Sequence, residues 1–215
     1  MKHSWVAVLA VSVFVEPATA QETSPIEALL SSMRGTLSVV SQPTLNGGKL
    51  TGCTLVYDAI YQDWTYRGGR YLKVAGNVGF AAFDGNVGAN LKVVVHEIDA
   101  STPQLRMTPS PPSRAYLVND ALATNLESLV RAAESDTPGA LFSVFQFSPT
   151  FEMVTEGIAR NVLTVAFNSR DGGTDMQLPL ELDVVDVTNT GERKRSEKAK
   201  DSFLVCLTKL AESLK

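Results

Sequence analysis

"GNVGFAAFDGNVGAN", Gly76 to Asn90, carries the tetrapeptide Gly-Asn-Val-Gly at Gly76 and again at Gly85. Glycines so placed suit either a loop that cradles phosphate or the bends of a sheet. A dinucleotide loop needs a strand running into the glycines and a helix leaving them, so that amide groups converge on the anion. Here each copy is followed by apolar residues in alternation, the period of a strand. In "YLKVAGNVGFAAF", Leu72, Val74, Val78, Phe80 and Ala82 share one face, with Tyr71, Lys73, Asn77 and Ala81 on the other. In "ANLKVVVHEI", Leu91, Val93 and Val95 fall together. Asp84-Gly85-Asn86 lies between the runs and supplies residues that tolerate positive φ. The stretch reads as a hairpin, with Gly76 and Gly79 marking a bulge or a close backbone approach in its first strand.

Further strands are expected at 36–41, 49–62, 114–118, 139–147, 158–168 and 176–188. Three helices accompany them. In "SPIEALLSSMRG", Ser24 caps, Pro25 takes the first helical position and Glu27 completes a capping box. In "NDALATNLESLVRAAES", Leu122, Leu126, Leu129, Val130 and Ala133 recur at helical spacing. The third helix spans 196–214, with Phe203, Cys206, Leu207 and Leu210 on one face. The basic cluster "ERKRSEKAK", Glu192 to Lys200, reads as the solvated head of that helix.

The hairpin pattern recurs around Phe167, Asp171 and Gly172, and each half starts with a capped helix. A duplicated helix-plus-sheet unit is one reading, with halves at 22–100 and 114–190 joined by a proline-rich connector at 101–113. The expected architecture is α+β. Mainly antiparallel hairpin sheet is covered by about three helices in one globular domain, 21–215, pinned by one disulfide.

That disulfide follows from where the chain works. Residues 1–20 have a short basic start, an apolar run from Trp5 to Val15 and a small-residue cleavage pattern at Pro17-Ala18-Thr19-Ala20. This is the form of a secretory signal peptide, too short in its apolar part to span a bilayer. A periplasmic or secreted protein is expected, with no transmembrane segment in the mature chain. Its two cysteines, Cys53 and Cys206, sit in apolar patterns without a Cys-x-x-Cys spacing, so a structural bridge is expected. The formal charge of −4 gives no general attraction to nucleic acid.

Catalytic machinery is sparse. His96 is the one histidine after residue 20, and "HEIDA" lacks the second histidine of a zinc-protease motif. Too few nitrogen and sulfur ligands remain for a metal site of that kind, and no motif calls for a cofactor. Asp171 and Asp175 in "DGGTD" match no EF-hand spacing and read as a turn. His96 beside Glu97 or Asp99 leaves one enzymatic reading, a hydrolase using it as acid or base. The other readings are binding ones. "YDAIYQDWTYRGGRY" gathers Tyr57, Tyr61, Trp64, Tyr66 and Tyr71 with Arg67 and Arg70, four of the five tyrosines and the one tryptophan beyond the signal peptide. Such a mixture suits contact with a protein, glycan or small-molecule partner. The leading expectation is an exported binding or structural module using this stretch. A periplasmic carrier of a lipid or other apolar ligand within a curved sheet is the second alternative.

Overall fold

A computed structural model describes residues 24–83, 86–101, 104–120, 123–168 and 173–213. The signal peptide, the Asp84-Gly85 turn and Asp171 lie outside the described residues. In chain order, α1 (Pro25–Ser32) is followed by β1 (Gly35–Asn46), β2 (Lys49–Asp63), β3 (Arg70–Phe83) and β4 (Asn86–Asp99). Then come β5 (Arg106–Pro109), β6 (Arg114–Val118), β7 (Leu129–Glu134) and β8 (Ala140–Phe145). The remainder is α2 (Phe147–Arg160), β9 (Val162–Asn168), β10 (Met176–Glu181), β11 (Val184–Val187), β12 (Arg193–Arg195) and α3 (Lys198–Ser213).

The opening stretch forms the hairpin that its alternation implies. β3 and β4 pair antiparallel from Leu72 opposite Glu97 to Phe83 opposite Asn86. Both belong to a seven-stranded antiparallel sheet ordered β1-β2-β3-β4-β8-β7, with β5 pairing β4 beyond β8. A second sheet, β10-β9-β6, supplies Leu117, Val165, Phe167 and Leu178 to the same core as Leu55, Leu72, Val74, Leu91 and Val93. The inward row of β3 skips one side chain at Gly76. A Cβ there would stand 2.0 Å from the Lys92 carbonyl oxygen and 2.7 Å from the Tyr57 hydroxyl. Tyr57 is the cross-strand partner of Gly76 and donates to the Lys92 carbonyl at 3.4 Å. Its ring therefore occupies what a side chain at position 76 would need.

α1 starts as its sequence dictates: the Ser24 hydroxyl accepts from the Glu27 amide at 3.1 Å, and Pro25 follows. Leu30 of α1 covers Ile60, Tyr71 and Ile98 on the other face of the large sheet. α3 lies against β1 and β2, and its Cys206 is bonded to Cys53 across a sequence separation of 153. No helix among the described residues is long and apolar enough to cross a membrane.

The middle helix is not where its spacing placed it. Leu122 lies outside the described residues; residues 126–134 form a 3-10 turn, Leu126–Ser128, and then the edge strand β7. Asn125 explains the diversion. Its side chain accepts from the Leu117 amide at 2.8 Å and donates to the Thr150 hydroxyl at 3.0 Å, buried bonds that a continuous helix would break. The helix is α2 instead, overlapping the ends of the strands expected at 139–147 and 158–168. Phe147, Phe151, Val154 and Ile158 make its apolar stripe, and left-handed Asn161 ends it at φ 62°. "ERKRSEKAK" is likewise divided: Arg193–Arg195 is β12, paired with β11, and helix begins only at Lys198. Arg195 pairs there with Glu181 and Asp183. The proline-rich connector contains β5, and the two stretches related by the repeat lie in different sheets.

Candidate functional site

The aromatic stretch occupies β2, the turn after it and the start of β3, and the structure divides it by depth. Tyr57, 2% exposed, points into the core, where burial pushes its phenol well above the ordinary range. Tyr71 is 9% exposed in the smaller cluster under α1. Neither is on the surface. Tyr61 is half-buried, with its ring edge-on to Phe167 at 6.0 Å. Trp64 is the reverse case, 69% exposed at the tip of the turn.

That turn is built on Asp63, a buried carboxylate the sequence reading passed over. Its Oδ1 accepts from the amides of Thr65 and Tyr66, both at 2.9 Å, and its backbone carbonyl accepts from Gly69 at 2.8 Å. The Asp-x-Thr spacing was the signal, since a carboxylate that bonds the amide two residues on makes an Asx turn. Arg67 locks the other side, donating to Asp63 Oδ2 at 2.7 Å, Glu97 Oε2 at 3.2 Å and Ser110 Oγ at 2.7 Å. Arg70 donates to Glu97 Oε1 at 2.8 Å. Tyr66 reaches the second sheet, where its hydroxyl donates to the Thr174 carbonyl and accepts from Asn168 Nδ2 at 3.1 Å. Tyr66, Arg67 and Arg70 thus brace the turn, and Trp64 is what it presents. The indole lies over Gly69, at φ +90°, where a Cβ would come within 2.6 Å of the ring. One face of the ring is held by backbone; no large rearrangement is needed to use the other.

Beside this turn is a cleft of ≈540 Å³, lined by Gly68, Gly69, Arg70, Glu97, Asp99 and Thr108 among others. The carboxyl of Glu97 is held below the ordinary range, chiefly by the hydrogen bond from Arg70, with burial opposing and Arg67 adding to the effect. Asp99 is held low by the hydroxyl and amide of Ser101. Because the folded pKa of Glu97 is depressed, its pairing stabilises fully above the unfolded value of about 4.3 and is lost as pH falls through the folded one. Acid titration monitored by Trp64 fluorescence should therefore show the turn loosening only below the ordinary carboxylate range. A Glu97→Gln variant should lack that step; an identical profile would detach Glu97 from the turn.

His96 lies on β4 opposite Pro109 of β5. Among the described residues, no hydrogen bond or ion pair joins it to a serine hydroxyl or a carboxylate. No group of three or more histidine, cysteine, aspartate or glutamate side chains there could hold a metal ion.

A second concavity, also ≈540 Å³, opens between α2 and α3 above Phe80. Phe147 and Phe151, stacked at 5.1 Å, form one wall and Leu204, Leu207 and Leu210 the other. It escaped the sequence reading because α2 itself did. No family model matches the chain, and neither the curated proteins nor the solved structures give a match.

Proposed function

We propose that the protein is an exported, non-catalytic binding module whose contact surface is the Asp63–Arg70 turn, with Trp64 as the anchor. The exposure of Trp64 on a turn held by the side chains of Asp63, Tyr66, Arg67 and Arg70 carries this reading. A large aromatic left in water costs hydrophobic free energy that a partner would recover, and a braced turn loses little entropy on binding. The disulfide suits an oxidising compartment outside the cytosol.

A photoactivatable residue at position 64 should cross-link to a partner in the exported compartment, whereas one at Phe142, on the outer sheet face, should not. Trp64→Ala should change stability by no more than about 0.5 kcal/mol, since surface substitutions do little, and weaken capture at least about tenfold. Equal cross-linking from both positions, or undiminished capture by Trp64→Ala, would end this reading. Tyr61→Ala should behave differently and destabilise the fold, because its ring packs on Phe167.

The groove between α2 and α3 supports a second reading, a carrier of a lipid or other apolar ligand. Its lining is aromatic and aliphatic, as ligand sites of this size commonly are. Native mass spectra of protein recovered from its own compartment should then show a co-purified apolar mass. A spectrum of bare chain alone would count against it.

A further inference from the structure

We propose that the outer face of α3 is a contact surface for a second copy of this chain, packed antiparallel across a two-fold axis at Val205. The inference stands apart from the Trp64 turn, which follows the far end of β2 from Cys53 and the helix bonded to it.

α3 turns Ala199, Phe203, Cys206 and Leu210 toward the core. At 3.6 residues per turn, the opposite pole of the helix is the stripe Lys198, Asp201, Val205, Lys209 and Glu212, and all five are exposed. The outward stripe of a solvated helix is ordinarily polar throughout. This one has a valine at its centre, 54% exposed, with Leu204 beside it at 42%. Leu45, 61% exposed near the tip of the β1–β2 hairpin, shares a hollow of ≈460 Å³ with Val205, Ser202 and Lys209. The apolar surface therefore continues from the helix onto the hairpin.

The charges on the stripe say what covers it. Asp201 and Lys209 stand four residues to either side of Val205, and Lys198 and Glu212 stand seven to either side. Each pair is of opposite sign. A two-fold axis at Val205 therefore sets Asp201 against the second copy's Lys209, and Lys198 against the second copy's Glu212, in both directions. Helix axes about 8–10 Å apart bring such side chains within reach, and a valine at the crossing point allows that approach. Among the described residues, none of the four charged side chains makes an ion pair or a hydrogen bond within its own copy. The helix dipole favours the same arrangement. Lys198 lies in the first turn of α3 and Glu212 in the last, each at the end whose partial charge matches its own. In an antiparallel pair each lies beside the opposite end of the second helix, where its charge is favourable. A parallel pair would set like charges together. An apolar small molecule would cover Leu204 and Val205 but leave the four charges unmatched.

The ridge is short. Its 16 residues span about 24 Å, which places the interface at the small end of the range for specific pairs, with a dissociation constant of about 1–10 μM. Between Cys53 and Asp63, β2 runs about 33 Å, so both Trp64 turns stay free. A partner with repeated sites would be held at two points.

The experiment is sedimentation equilibrium on the disulfide-bonded chain over about 1–200 μM. The unaltered chain should dimerise, and more weakly as salt is raised. Asp201→Lys and Lys209→Asp should each weaken the dimer at least about tenfold, because the two-fold axis makes every substitution act twice. Mixed in equal amounts, these two variants should associate again, since the heterodimer restores both attractive pairs. Val205→Glu should be monomeric throughout. Each variant alters an exposed side chain, and thermal melts at low concentration confirm its fold. A chain that stays monomeric at about 200 μM overturns the proposal. So does a dimer that Val205→Glu and Asp201→Lys leave intact, which would form through another face, such as the open edge of β7. Single variants that lose the dimer and fail to regain it on mixing refute the antiparallel two-fold. A monomer carrying an apolar ligand over Leu204 assigns the exposed leucine and valine to that ligand instead.

Discussion

Replacing Cys53 and Cys206 together by alanine is expected to lower stability by about 5 kcal/mol, because the bond closes a loop of 153 residues in the unfolded chain. In the chain-entropy account the gain grows with the logarithm of loop length. For a body of this size the loss corresponds to a fall in melting temperature of about 10–20 °C. Alanine is the better replacement here because both sulfurs are buried, and a serine hydroxyl would add an unpaired polar group. Packing of α3 should survive the change: Phe203 and Leu210 remain in the core against β2. The double variant should therefore unfold in one transition, at lower urea, with the helix still docked below the midpoint. A loss under about 1 kcal/mol would show that α3 is held by its apolar face alone. The bond would then be incidental to stability.

Gly76→Ala is expected to cost about 4 kcal/mol or more, in the range reserved for named structural failures. The added methyl would meet the Lys92 carbonyl oxygen at 2.0 Å, and that atom is part of a neighbouring central strand, not a side chain that can swing away. Relief requires β3 and β4 to separate and the Tyr57 ring to give way as well, which disrupts inward packing on both sides. Gly88→Ala is the matching control. It stands in the second Gly-Asn-Val-Gly copy, nothing lies within 4 Å of its added Cβ, and it should change stability by no more than about 0.5 kcal/mol. Urea denaturation of the two variants would separate them by several kcal/mol if the register is right. Equal midpoints would mean that the Lys92 carbonyl and the Tyr57 phenol do not close off position 76.

These two glycines mark how far sequence reasoning carries. The same tetrapeptide occurs twice, and alternation of the flanking residues was enough to identify strands and exclude a phosphate loop. It could not say that Gly76 is sterically closed and Gly88 open. That difference comes from the Lys92 carbonyl and the Tyr57 ring, which are remote in sequence and reach Gly76 only through the pairing of β3 with β4 and β2. The aromatic stretch divides for the same reason. Period two puts Tyr57 and Tyr61 on one face of β2, but whether a face is covered depends on what packs over it. Trp64 escapes burial because the chain leaves the sheet at Asp63, and Tyr71 is covered because α1 lies there.

Local chemistry determined several features without help. The Ser24 cap, the hairpin at 70–99, the apolar face of the last helix and the sheet-dominated α+β class all rest on interactions within a few residues or on strict periodicity. The pairing of Cys53 with Cys206 needed only their even number and the expectation of an oxidising compartment. Tertiary structure decided the rest. Residues 129–134 carry helical spacing yet extend the edge of β8, because Asn125 is drawn inward to Leu117 and Thr150 and the chain behind it meets an open strand edge. Both concavities are likewise products of assembly, one between α1, the turn and the β4–β5 edge, the other between α2 and α3. A side chain's neighbours along the chain set its conformation, but its partners across space set its exposure. A binding surface is a matter of exposure.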